Sequence, residues 1–123
     1  MTSPIILIVK DNPEVRCWLC EVLQREGYVT LSAGDGREAL NLLDTSNVGL
    51  VLSDLEMPGM DGRELLRRLR AHPKHAKLPV VLMLTYPWDA LNIQSDTFLF
   101  KLVKPLLQIA DLLATLQNVI GPL

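Results

Sequence analysis

The run Gly49-Leu50-Val51-Leu52-Ser53 is apolar without alternation and ends on a carboxylate, Asp54. An unalternated apolar run reads as a strand buried on both faces, the mark of a parallel sheet covered by helices. The stretch that follows, Glu56-Met57-Pro58-Gly59-Met60-Asp61-Gly62, is rich in turn formers. A carboxylate at the carboxyl end of such a strand faces the crevice where open α/β sheets bind ligands. Burying it without a task would be costly.

The rest of the chain repeats this pattern. Strands are predicted at Ile5 to Val9, Val29 to Ser32, Val48 to Ser53, Pro79 to Thr85 and Phe98 to Val103. Between them, Asn12 and Pro13 open a helix that Gly27 closes, with Val15, Leu19, Val22 and Leu23 at helical spacing. Further helices are predicted over Gly36 to Leu43, Gly62 to Ala71 and Leu106 to Val119. Their inner stripes are Ala39, Leu40 and Leu43; Leu65, Leu66 and Leu69; and Ile109, Leu112, Leu113 and Leu116. Tyr86 to Thr97 makes a poor helix, anchored only by Ala90, Leu91 and Ile93. Strands joined by helical crossovers predict a parallel sheet with helices on both faces.

A chain of 123 residues makes one domain, 1–123, with a single core. A net charge of −2 neither favours nor excludes nucleic acid, and no apolar run approaches a membrane span. Met1-Thr2-Ser3-Pro4 has no basic region, so no signal peptide is expected and the cytoplasm is the expected location.

Several side chains fall at the carboxyl ends of the strands: Lys10 and Asp11 after the first, Asp54 after the third, Thr85 ending the fourth, Lys104 after the fifth. Asp11 and Asp54 are hard oxygen ligands suited to Mg²⁺. A hydroxyl at Thr85 and a point charge at Lys104 suit a phosphoryl group. The residues thus predict a small metal and phosphate site in a five-stranded α/β domain.

With these residues in place, the chain resembles the receiver domain of bacterial two-component response regulators over roughly Ile5 to Val119. The resemblance is strongest from Leu50 to Gly62, near the family's phosphorylation-site signature. Ile6-Leu7-Ile8-Val9 before Asp11, Leu84-Thr85 and Val103-Lys104-Pro105 support it. It implies a doubly wound, flavodoxin-like (βα)5 fold of strand order 2-1-3-4-5, with a cis peptide before Pro105. It implies that Asp54 accepts a phosphoryl group from the phosphohistidine of a sensor histidine kinase or histidine phosphotransfer protein. Asp11, Asp54 and the backbone carbonyl of Glu56 would hold Mg²⁺, Lys104 would pair with phosphoryl oxygens, and Thr85 would swing toward them. Such a module acts only on its own phosphoryl group and is not an enzyme with a separate substrate. Its output domain or target is not named by the sequence, and self-association is compatible with it; no nucleic acid or membrane partner is expected.

Three positions depart from the family pattern. Receivers usually carry two adjacent acids after the first strand, and here Lys10 precedes Asp11. The two carboxylates Asp11 and Asp54 then face the two ammonium groups Lys10 and Lys104, and the formal charge cancels. A unit-charge contact near 4 Å is worth about 4 kcal/mol at an effective dielectric near 20, so Mg²⁺ binding is expected to weaken. Lys10 is expected to take part of the metal's place by a salt bridge to Asp54. Tyr86 stands where a small residue usually follows the switch threonine, and Lys101 where a switch aromatic usually stands. Phe98 and Phe100 are expected in the core rather than as substitutes.

The alternative is a pseudo-receiver, a docking or dimerisation module that works without phosphorylation. An aspartyl phosphatase would use Glu56 as general acid but has no cap domain. A flavin module would need a Ser/Thr/Gly-rich loop in place of Lys10-Asp11-Asn12-Pro13. Cys17 and Cys20 fall inside a helix rather than at its start, so they are expected as small apolar residues, not a redox pair. Arg63, Arg67, Arg68, Arg70, Lys74 and Lys77 read as a solvated helix face, and His72 and His75 as a loop pair without further ligands.

Overall fold

The computed structural model describes residues 4–93, 96–103 and 109–121. Five strands, β1 (Ile5–Val9), β2 (Val29–Ala33), β3 (Val48–Asp54), β4 (Val80–Leu84) and β5 (Leu99–Val103), form one parallel sheet in the order β2-β1-β3-β4-β5. Four helices connect or close them: α1 (Pro13–Arg25), α2 (Gly36–Thr45), α3 (Gly62–Ala71) and α4 (Ile109–Ile120). The predicted doubly wound order 2-1-3-4-5 is the observed one. The peptide before Pro105 lies outside the described residues.

The sheet splits the core in two by side-chain alternation. Leu7, Val9, Val51, Leu82 and Leu84 face α2 and α3, meeting Ala39, Leu43, Leu65, Leu66 and Leu69. Ile6, Ile8, Leu50, Leu52, Val81 and Met83 face α1 and α4, meeting Leu19, Leu23, Leu112 and Leu116. The central strands are buried on both sides, which is why their sequences do not alternate.

Helix starts are set by side-chain caps. Asn12 accepts from the Glu14 and Val15 N–H groups, Asp35 from Glu38, and Asp61 from Glu64. Gly27, at φ 95°, closes α1 in the left-handed region, as its sequence position predicts.

Some expectations are corrected. Val15 is exposed rather than inward, because α1 packs on one edge through Leu19 and Leu23. The segment after β4 forms a short 3-10 turn, Pro87–Asn92, not an α-helix. Ile93 is buried and Ala90 packs on the core, but Leu91 is 85% exposed and anchors nothing. Too few apolar positions recur there to hold a longer helix. Phe100 packs in the α1–α4 half of the core, as expected. Cys20 is half-buried with its thiol pushed up by burial, and Cys17 is exposed.

Candidate functional site

The register of the sheet assembles the site. Val9 of β1 pairs with Ser53 of β3, so the next residues, Lys10 and Asp54, emerge side by side at the carboxyl edge. Asp54 pairs with Met83 of β4, and the chain leaves β4 two residues later at Thr85. Leu84 pairs with Val103 of β5, and Lys104 follows outside the described residues.

Asp54 is 2% exposed. The loop after it is folded back by two glycines with separate duties. Gly59 adopts φ +74°, a conformation that side chains disfavour. A Cβ on Gly62 would lie 2.7 Å from the Asp54 carbonyl oxygen and 2.9 Å from Leu55 Cα. Only glycine therefore lets α3 begin against the end of β3, where the Gly62 N–H donates to the Leu55 carbonyl at 2.7 Å. The Ser53 hydroxyl donates to the Asp54 carbonyl at 2.9 Å. The turn-rich motif is thus the device that seals the base of Asp54 while leaving its carboxylate at the crevice.

Lys10 is the site's most telling side chain. Its ammonium lies 2.5 Å from Asp54 Oδ2 and 3.4 Å from Asp11 Oδ1, with the lysine side chain 15% exposed. The predicted Lys10–Asp54 salt bridge is present. Burial acts to lower the Lys10 pKa, but the hydrogen bond and charge of Asp54, with those of Asp11, outweigh it and hold the value above the usual 10.5. Asp11 itself is exposed at the mouth, as is Glu56 on the loop after β3.

Arg16 was not foreseen. From the first turns of α1 it donates to the carbonyls of Lys10, at 2.7 Å, and Asp11, at 3.5 Å. It fixes the backbone that carries both groups. Its spacing, six residues past Lys10 and just inside a helix whose cap is legible, was the available signal.

Thr85 is partly exposed at the end of β4. Tyr86 is half-exposed, and its ring stacks on Trp88 with centroids 4.6 Å apart and planes at 7°. Lys101 lies exposed on β5 and donates to the Ala90 carbonyl at 3.5 Å, tying β5 to the 3-10 turn. The basic stretch is broken up: Arg67 and Arg68 pair with Glu64, and Arg70 turns inward to Asp96.

Asp11 and Asp54 supply hard oxygens suited to Mg²⁺, but the Lys10 ammonium already lies on both.

The response regulator receiver domain model matches residues 6–114. Sporulation initiation phosphotransferase F of Bacillus subtilis is 38% identical over 86 residues, 70% of this chain and 68% of that protein. The signal receiver domain of a signal transduction histidine kinase from Syntrophus aciditrophicus superposes with a TM-score of 0.86 at 31% identity, covering 97% of this chain and 91% of that one. The receiver domain of a sensor histidine kinase from Pseudomonas aeruginosa PAO1, with magnesium coordinated in its active-site cleft, gives a TM-score of 0.83 at 25% identity, covering 98% and 99%.

Proposed function

Since the chain belongs to the response regulator receiver family, the phosphorelay module of two-component systems, we propose that Asp54 is its phosphoacceptor and that Lys10 makes its chemistry less dependent on Mg²⁺. The observation that carries this reading is the buried carboxylate of Asp54 with the Lys10 ammonium at 2.5 Å.

A carboxylate is a weak nucleophile, and a phosphoryl donor carries like charge. Transfer relies on positioning and on cations that meet the charge spreading over the phosphoryl oxygens. The phosphorus–nitrogen bond of a donor phosphohistidine breaks as a bond to Asp54 oxygen forms, and the imidazole leaves. Lys10 offsets the charge of Asp54 at rest and is placed to follow it onto the phosphoryl oxygens. Thr85 and Lys104 complete the pocket by family likeness, and Arg16 keeps Lys10 and Asp11 in place. Mg²⁺, held by Asp11, Asp54 and the Glu56 carbonyl, would supply further charge neutralisation when bound. The donor is a sensor histidine kinase or a histidine phosphotransfer protein, met in the cytoplasm. The module acts only on its own phosphoryl group.

The same short ion pair favours a second reading: a pocket already neutralised at rest serves a docking module that needs no phosphorylation. Intact-protein mass after incubation with acetyl phosphate, with and without Mg²⁺, separates the two. One phosphoryl adduct on the native chain and none on Asp54→Asn is the expected result. Lys10→Asp should form its adduct only with Mg²⁺, while the native chain retains part of its adduct without it. No adduct on the folded native chain under either condition would sink the phosphoacceptor reading in favour of docking.

A further inference from the structure

Helices of a parallel sheet run back against the strands, so α2 and α3 both end at the pole opposite Asp54. There Asp44, in the last turn of α2, meets His72, the residue after α3, and His75, in the turn beyond. Each brings one ligand atom, all within 4.8 Å of one another. The histidines alone lack further ligands in the sequence; the fold supplies the third from a helix some thirty residues away.

Two independent features mark the cluster. His75 is only 6% exposed, and its Nε2 is sealed from solvent with no hydrogen-bond partner among the described residues. Buried polar nitrogens are ordinarily paired, and an orphan calls for an explanation. Asp44 places a negative charge at the negative end of a helix, with no basic residue in that last turn and no ion pair among the described residues. A cation held between them would answer both. The carbonyl ends of α2 and α3 favour it further.

We propose that Asp44, His72 and His75 form a second metal site, for a divalent transition metal of the Zn²⁺, Co²⁺ or Ni²⁺ class, with an open coordination position. Two imidazoles and one carboxylate select such ions over Mg²⁺ or Ca²⁺, which prefer all-oxygen shells. His75 binds through its orphan Nε2. His72 gives the Nδ1 lone pair that now accepts the Lys74 N–H at 3.1 Å, and leaves its stack on His75, where the ring centroids are 4.8 Å apart. Ligand atoms in a tetrahedral zinc site sit roughly 3.3 Å apart, so the set has to contract. Asp44 and His72 are both exposed and have room to rotate. Arg67 and Arg68 line the same cleft, but both are drawn onto Glu64. A bound ion would staple α2 to the α3–β4 turn.

Titrating the whole chain with Co²⁺ tests this through the visible d–d bands, followed by displacement with Zn²⁺. One strongly absorbing, low-coordinate Co²⁺ per chain is expected, distinct from any weakly absorbing six-coordinate ion on Asp11 and Asp54, without a thiolate charge-transfer band, and with displacement by Zn²⁺. His72→Ala and Asp44→Asn, both at exposed positions, should each weaken binding by at least about tenfold, as loss of a ligand requires. Asp54→Asn should leave it unchanged. Absence of a saturable low-coordinate band, such a band that survives His72→Ala, a thiolate band, or loss of the low-coordinate band in Asp54→Asn would each overturn the site.

Discussion

Two ion pairs of this molecule have the same length and opposite characters. Lys10–Asp54 and Arg70–Asp96 are each 2.5 Å long, each largely shielded from water, and each joins segments far apart in sequence. Each of the three guanidinium nitrogens of Arg70 makes a hydrogen bond. Its guanidinium also donates to the carbonyls of His75, at 3.1 Å, and Phe98, at 3.3 Å, while the other Asp96 oxygen accepts the Phe98 N–H at 2.8 Å. A rigid fork thus ties α3, the turn after it and the start of β5 in one fixed arrangement. Lys10 instead presents a compact point charge, resting on two carboxylates at the open edge of the sheet. The many-bonded pair is architecture. On the proposed function, the point charge occupies a place that another cation can take, and that would make it exchangeable.

That contrast can be broken at either end. Arg70→Ala should have the largest effect, because it strands the partly buried Asp96 and two backbone carbonyls. Removing one partner of a buried pair costs about 3–5 kcal/mol, and the residual exposure of this pair sets the expectation at about 3 kcal/mol. Urea unfolding measures it, and added Mg²⁺ should recover none of it. A loss below about 1 kcal/mol would demote the fork to an ordinary surface pair. Lys10→Asp should come next, at about 2 kcal/mol without divalent ions, since three carboxylates then crowd one edge. This loss, unlike the first, should be recovered as Mg²⁺ is added, because a ligand bound only by the folded state raises stability by mass action. Thermal unfolding of Lys10→Asp across a Mg²⁺ series, beside the native chain, reads this directly. Equal Mg²⁺ responses in the two chains would show that Lys10 does not compete for the metal's place.

How much of this was legible beforehand follows the same division. The strands announced themselves because burial on two faces removes polar residues, and Ile5 to Val9 and Leu50 to Leu52 carry nothing else. The Lys10–Asp54 contact was legible because both residues end neighbouring strands, and parallel register then leaves little freedom. Arg70 was hidden among other basic residues of α3. Nothing local distinguishes it from Arg67 and Arg68, and only the return of Asp96 and Phe98 past the end of α3 turns it inward. Asp44 was illegible as a ligand for the same reason: its partners lie across a strand and a helix. Leu91 misled by composition, since a single leucine in a 3-10 turn has no face to belong to. Contacts dictated by one strand's end were readable, and those made between helix ends were not.

The smallest expected effect sharpens the comparison through pH. Burial works to raise the Asp96 pKa, but the Arg70 hydrogen bond, the Phe98 N–H and the Arg70 charge outweigh it and hold the carboxyl below 3.8. A carboxyl depressed on folding contributes stability that is present above its unfolded value and is lost as pH falls through the folded one. For Lys10 the sign reverses. Its ammonium is held above 10.5, so its contribution is fully present below 10.5 and is lost as pH rises through the raised folded value. Alkali should therefore separate the two pairs, since the Lys10 charge is lost there while the guanidinium of the fork keeps its own. Unfolding free energies of Lys10→Met and Arg70→Met, each subtracted from the native chain, isolate the two slopes. The Lys10 difference should be flat through neutrality and shrink in alkali, where the Arg70 difference persists, and the Arg70 difference should shrink in acid. A Lys10 difference that persists unchanged above its folded pKa would mean that packing of the lysine stem, and not its charge on Asp54, is what the site holds in place.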